Sequence, residues 1–126
     1  MATKKAKKAK APTLSFSEYQ ECAWLTAKYP EKGQGSLLST SYAVLGAAGE
    51  GGELANKWKK VLRDSGGVLT PAAKEALLGE IGDSLWYLAA VCTELGVDLE
   101  SVAQANLDKL ASRQARGVVS GSGDNR

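Results

Sequence analysis

Between Thr70 and Gly96 the apolar residues Leu77, Ile81, Leu85, Leu88, Cys92 and Leu95 recur at steps of three and four. That repeat is helical and excludes a strand. Thr70 is placed to cap the helix, Pro71 fits its first position, and Gly96 follows its last turn. In its second half Leu85-Trp86-Tyr87-Leu88-Ala89-Ala90-Val91 is apolar on nearly all sides. A helix of that kind needs more than one neighbour. The expectation is burial between subunits, and hence an oligomer.

Three further helices are read in the same way, and no strand. The first spans about Ser17 to Tyr29, with Ser17 and Gln20 at capping-box spacing and Pro30 as its stop. After a loop from Pro30 to Gly35, the second spans about Ser39 to Asp64. It holds Gly46, Gly49, Gly51 and Gly52, and each glycine inside a helix costs about 1 kcal/mol against alanine. Either this helix breaks near Gly51, or close backbone approach compensates. The fourth starts at an Asp98 cap, ends by Gly117, and lines one face with Leu99, Val102, Asn106 and Leu110. Four helices with short connections predict an all-α fold, an antiparallel four-helix bundle that oligomerises through its apolar helices.

Charge and composition set the domain limits. Residues 1–12 carry five lysines and no acid, which leaves 11 basic against 14 acidic residues in the rest of the chain. The mild overall basicity therefore belongs to a tail, residues 1–13, expected to be solvated and disordered. The body has no basic face for nucleic acid, and the reading is of a protein that does not bind it. No apolar run follows the lysines to make a secretory signal, and none reaches membrane-spanning length. Gly/Ser-rich residues 118–126 read as a flexible C-terminal tail, which places the domain at 14–117. Histidine is absent and cysteine occurs twice, at Cys22 and Cys92. This excludes a histidine-based catalytic engine, a His-ligated zinc and a disulfide framework. Two free thiols fit a reducing compartment, the cytoplasm.

The remaining chemistry is acidic. Glu50 and Glu53 on the second helix, and Glu80 and Asp83 on the third, stand three residues apart, so each pair shares a helix face. Glu18 and Glu21 form a third such pair, read as an ordinary solvated face. The surroundings separate the cases. Seven acids and no Lys or Arg lie between Lys74 and Lys109, and Ser41 to Asn56 holds Glu50 and Glu53 with no base. Carboxylates gathered near a packed surface repel and need a cation. With no imidazole or thiolate cluster, an all-oxygen site selects Mg²⁺ or Mn²⁺ over zinc.

The run Leu45-Gly46-Ala47-Ala48-Gly49-Glu50-Gly51-Gly52-Glu53-Leu54, followed 26 residues later by Glu80-Ile81-Gly82-Asp83, resembles the ExxE…ExxD signature of MazG-like nucleotide pyrophosphohydrolases, of the all-α NTP pyrophosphatase superfamily. Tyr19-Gln20, Thr26 to Pro30, Lys59 to Asp64, Asp83 to Leu88 and Asn106 to Leu110 share the family's character, so the resemblance covers about residues 14–117. Ser84 departs from it, standing where a larger apolar residue is expected.

The resemblance implies Mg²⁺-dependent hydrolysis of a nucleoside triphosphate to the monophosphate and pyrophosphate, with Mn²⁺ as a substitute ion. It implies Glu50, Glu53, Glu80 and Asp83 as metal ligands, with Glu53 also orienting the attacking water. It implies a homo-oligomer, a tetramer in preference to a dimer. Phosphate charge calls for nearby cations. Asn106, Lys109 and Arg113 share one stripe of the fourth helix and are the candidates; Lys57 and Lys60 are weaker ones. For the base or sugar, Tyr87 lies one turn after Asp83, and Trp24 on the first helix is second; Gln34 and Ser36 in the loop could also reach it. The alternatives are a dUTPase-like or phosphoribosyl-nucleotide pyrophosphohydrolase and a non-catalytic helical adaptor.

Overall fold

The computed structural model describes residues 12–126, so the basic tail read at 1–13 lies, apart from Pro12 and Thr13, outside the described residues. Four helices follow one another: α1 (Phe16–Trp24), α2 (Leu37–Asp64), α3 (Pro71–Glu94) and α4 (Leu99–Ala115). No strand occurs among the described residues.

The α3 and α4 termini form as the sequence predicts. Thr70 caps α3 with Pro71 in its first turn, and Asp98 caps α4 by accepting from the Ser101 amide. Past the last turn of α3, Gly96 takes φ 68°. This lets the Val97 amide reach back to the Cys92 carbonyl at 2.9 Å, the six-to-one bond of a Schellman end.

α1 differs from the expectation at both ends. Its capping box is Ser15 with Glu18, not Ser17 with Gln20. The Ser17 hydroxyl instead donates to Asp98 and Glu100, both at 2.9 Å, and ties α1 to the start of α4. Glu18, read as half of a solvated pair, is the reciprocal partner in that cap. The helix stops at Trp24 rather than Tyr29. The Ala23 carbonyl is taken by the Thr26 amide and hydroxyl and by the Trp86 indole, so the chain tightens and leaves the helix. Pro30 also disfavours helical backbone at Tyr29.

α2 begins two residues before the expected Ser39, capped by Ser36 with Ser39 closing the box. It then runs unbroken through all four glycines. Close approach explains one of them: a β-carbon on Gly46 would collide with the Tyr87 ring of α3. Beside Gly49, Gly51 and Gly52 there is open space.

α2 lies antiparallel on α3, since Ser39 meets Glu94, Gly46 meets Tyr87 and Lys57 meets Glu80. α1 and α4 pack on α3 and on each other, whereas α3 is the helical neighbour of α2. Within one chain the all-α fold is thus an α2–α3 hairpin with α1 and α4 on the other flank of α3. The core is small: Ala89, Cys92 and Leu99, with Tyr19 and Leu85 against it. The expected apolar stripe of α3 is only partly covered, for Ile81, Leu88 and Leu95 are 51%, 50% and 61% exposed. Residues 118–126, read as a flexible tail, turn back on α4 and place carbonyl oxygens against Arg113 and Arg116.

The loop before α2 is held by Glu94, the last residue of α3. Its buried carboxylate accepts from Tyr29 Oη (2.6 Å), the Gly33 and Gly35 amides (2.8 and 2.9 Å) and Ser39 Oγ (2.8 Å). Burial pushes this carboxyl up, but the four donors outweigh it and bring it below its ordinary value of 4.5. A depressed carboxylate stabilises the fold fully above its unfolded value, and that stability is lost as pH falls through the folded one. Acid unfolding of the parent chain is thus expected to acquire a component below pH 4.5 that Glu94→Ala lacks, followed by circular dichroism. Glu94→Ala leaves four donors without their acceptor, one of them the buried Ser39 hydroxyl, and is expected to cost about 2–3 kcal/mol in urea denaturation. Gly46→Ala forces Tyr87 out of its place and is expected to cost about 2 kcal/mol by the same measurement.

Candidate metal centre

Glu50 comes from the middle of α2, and Glu80 and Asp83 from the middle of α3. The antiparallel register set by Ser39 and Glu94 brings them face to face. Each of the three offers a carboxylate oxygen, and these oxygens lie within 4.8 Å of one another. Glu80 is buried, Glu50 half-buried and Asp83 exposed, so the cluster opens to solvent on one side.

Its electrostatics show a shortage of positive charge. Burial first, then a hydrogen bond with Glu80, then the charges of Asp83, Glu80 and Glu53, raise the Glu50 carboxyl above its ordinary range. Glu80 is held low, chiefly by its bond to Lys57 and then by that from Glu50, against the effect of burial. Lys57 Nζ ion-pairs with Glu80 Oε1 and is raised in turn, first by that bond. Three hard oxygen donors converging from two helices fit Mg²⁺ or Mn²⁺, and the absence of sulfur and imidazole argues against a softer ion.

Glu53, expected as a ligand that also orients the attacking water, is exposed one turn beyond Glu50 and outside the trio. It lines a shallow depression with Gly52, Ala55, Asn56 and Lys59. Tyr87 borders the carboxylates. Its hydroxyl is pushed up by burial first, then by Tyr42, then by Glu50 and Asp83. Tyr42 in turn stacks on Tyr29, with centroids 4.7 Å apart and planes at 14°.

The other expected nucleotide contacts are not gathered here. Trp24 packs edge-on to Tyr29 at 6.2 Å, under the Lys32 ammonium at 5.0 Å, and borders the α3 residues from Trp86 to Thr93. Asn106 and Lys109 are exposed on α4, which does not pack on α2. Arg113 is 5% exposed and donates to the Asp124 carbonyl at 2.7 Å, while its Nε is buried without a partner. Ser36 is used as the α2 cap. Ser84, the departure from the family pattern, buries a hydroxyl with no partner.

Three neighbours of the site were not singled out from sequence or were ranked low. Tyr19 of α1 is near enough to Asp83 to be raised by it, after burial. Tyr42 and Lys57 could have been found by helical arithmetic, since 42, 46, 50, 53 and 57 fall on one face of α2.

The model of the MazG nucleotide pyrophosphohydrolase domain matches residues 39–118. The chain is also 50% identical, over 109 residues, to "Gene 37 protein" of Mycobacterium phage L5, an alignment covering 86% of this chain and 96% of the relative. No solved structure matches it. The matched span begins at the residue that fixes the α2–α3 register and contains every carboxylate of the cluster, and the chain belongs to the MazG nucleotide pyrophosphohydrolase family.

Proposed function

We propose that this protein is a Mg²⁺-dependent pyrophosphohydrolase that converts a (d)NTP to the (d)NMP and pyrophosphate. The observation that carries the reading is the convergence of Glu50, Glu80 and Asp83 within 4.8 Å across the α2–α3 seam. A bound Mg²⁺, with Mn²⁺ as substitute, would neutralise phosphate oxygens and make a coordinated water more acidic.

Glu50, Glu80 and Asp83 would hold the ion, with Glu53, exposed and one turn away, completing the set; Glu53 orients the attacking water and accepts its proton. Water adds to the α-phosphorus, and the bond from that phosphorus to the bridging oxygen breaks, releasing pyrophosphate. Tyr87 offers its ring to the sugar or base, and Trp24, farther off, serves as a second platform only if the substrate spans the α1 groove. Asn106, Lys109 and Arg113 lie on a helix that does not face the carboxylates within one chain. They reach substrate phosphates only across a subunit contact. The apolar groove formed by Gly51, Leu54, Ala55, Trp58, Leu77 and Ile81 supports such a contact, as do exposed Leu45, Leu62 and Leu78. These faces support self-association, and the family resemblance makes the proposed assembly a homotetramer in preference to a dimer. Among the described residues no helix is long and apolar enough to cross a membrane.

The direct test incubates each common NTP and dNTP, dUTP included, with Mg²⁺ and separates the products by ion exchange. Monophosphate and pyrophosphate are expected; diphosphate and phosphate, or no turnover of any nucleotide, overturns the reading. Glu53→Gln is expected to lower kcat by about 10²–10³-fold in the same assay. Glu50→Gln removes a repelling carboxyl. Calorimetric scans should therefore show its melting temperature raised in EDTA, and the increase that Mg²⁺ gives the parent chain abolished.

A further inference from the structure

The carboxylate cluster is met by a cation from its own chain. Three side-chain ion pairs occur among the described residues, Lys57–Glu80, Arg63–Asp64 and Arg113–Asp124, and the first alone involves the cluster. It is not a loose surface contact. The Glu80 side chain is 11% exposed and that of Lys57 35%, so the ammonium reaches inward over the edge of the site. No basic residue occurs between Ser41 and Asn56 or between Lys74 and Lys109, the stretches that supply the three acids, and Lys57 directly follows the first. Lys57 sits on the same face of α2 as Glu50 and Glu53, two turns and one turn further on.

We propose that Lys57 is the resident counter-cation of this site: it holds Glu80 in place while the site lacks a divalent ion and withdraws when Glu80 binds one. The inference rests on the reading of Glu50, Glu80 and Asp83 as a divalent-ion site. The chemistry is one of competition. An ammonium and a divalent ion draw on the negative charge of the same Glu80 carboxylate, and three convergent carboxylates favour the higher charge. Lysine suits the role because its charge is a point on a flexible four-carbon stem, able to leave without moving the backbone, which the broad planar fork of arginine does less readily. On release the ammonium stays tethered on the Glu53 side of α2, so its charge remains beside the site. In the metal-free chain the same contact keeps Glu80 aimed at Glu50 and Asp83. Its cost is affinity, since a ligand binds more weakly when only a fraction of the site is free to accept it.

The test uses the full chain and Mg²⁺ alone, without nucleotide. Isothermal titration calorimetry is expected to show the apparent Kd of Lys57→Met tightened about fivefold relative to the parent, as the occupied fraction of the site is freed. In parallel, the lysine ¹H–¹³C ε-methylene signals of the parent chain are followed through the titration, with Lys57 assigned by its loss in Lys57→Met or Lys57→Arg. The Lys57 signal is expected to move with the same midpoint as the heat. Mg²⁺ uptake with a stationary Lys57 signal, or with equal Kd in parent and Lys57→Met, overturns the counter-cation and leaves the metal site standing. No uptake by either protein overturns the metal site and this inference with it. If Lys57→Met does not fold, the signal of the parent chain decides alone.

Discussion

A carboxylate in the last turn of a helix faces the negative end of the helix dipole, and burying it adds the loss of hydration. Glu94 occupies such a position because four donors close on it, two of them backbone amides of the loop before α2. Gly35 belongs to this arrangement sterically as well, because a β-carbon there would stand 2.9 Å from the Glu94 carbonyl. With Ser39 tied to Glu94, the register of α2 on α3 is set, and the rest of the seam follows from helical spacing. Buried Ala43 and Ala90 keep the helices close, Gly46 admits the Tyr87 ring, and Glu50 arrives opposite Glu80 and Asp83. A contact at one end of the hairpin thus positions carboxylates that repel one another at the other end.

Much of this was legible in the sequence where the signal is local. The caps and Schellman end of α3 and the cap of α4 depend on a few adjacent residues, and those residues were present. The acidic pairs were legible for the same reason, since three-residue spacing fixes a face. α1 was misread because two overlapping serines each had a polar residue three places on. The choice between them was made by Asp98 and Glu100, some eighty residues away, which draw Ser17 outward. The Glu94 clamp was illegible because half its donors are backbone amides, which carry no side-chain signature. Arg113 looked like part of a phosphate-binding stripe of α4, and nothing in its neighbourhood in the sequence shows the carbonyl of Asp124 closing over it.

The same distinction explains the core. A helix as apolar as α3 has no single inward face, so periodicity alone cannot say which residues one chain will cover. α2 takes one side, α1 and α4 take another, and Ile81 and Leu88 remain half exposed between them. The protein therefore pairs a compact polar seam with an apolar exterior. Its charge is unevenly met in a parallel way: Lys57 answers one of the three clustered carboxylates, while Glu50 responds by holding its proton more tightly.

Gly49, Gly51 and Gly52 stand in the middle of a 28-residue helix with nothing of their own chain beside them. Each leaves the unfolded polypeptide more freedom than alanine would, at about 0.5–1 kcal/mol per position. They flank Glu50 on different sides of the helix: Gly49 and Gly52 are three apart and share a face, while Gly51 opens on the apolar groove with Leu54, Trp58 and Ile81. Within one polypeptide nothing crowds a β-carbon at any of the three, so the helix carries their conformational cost without the steric return that Gly46 gives.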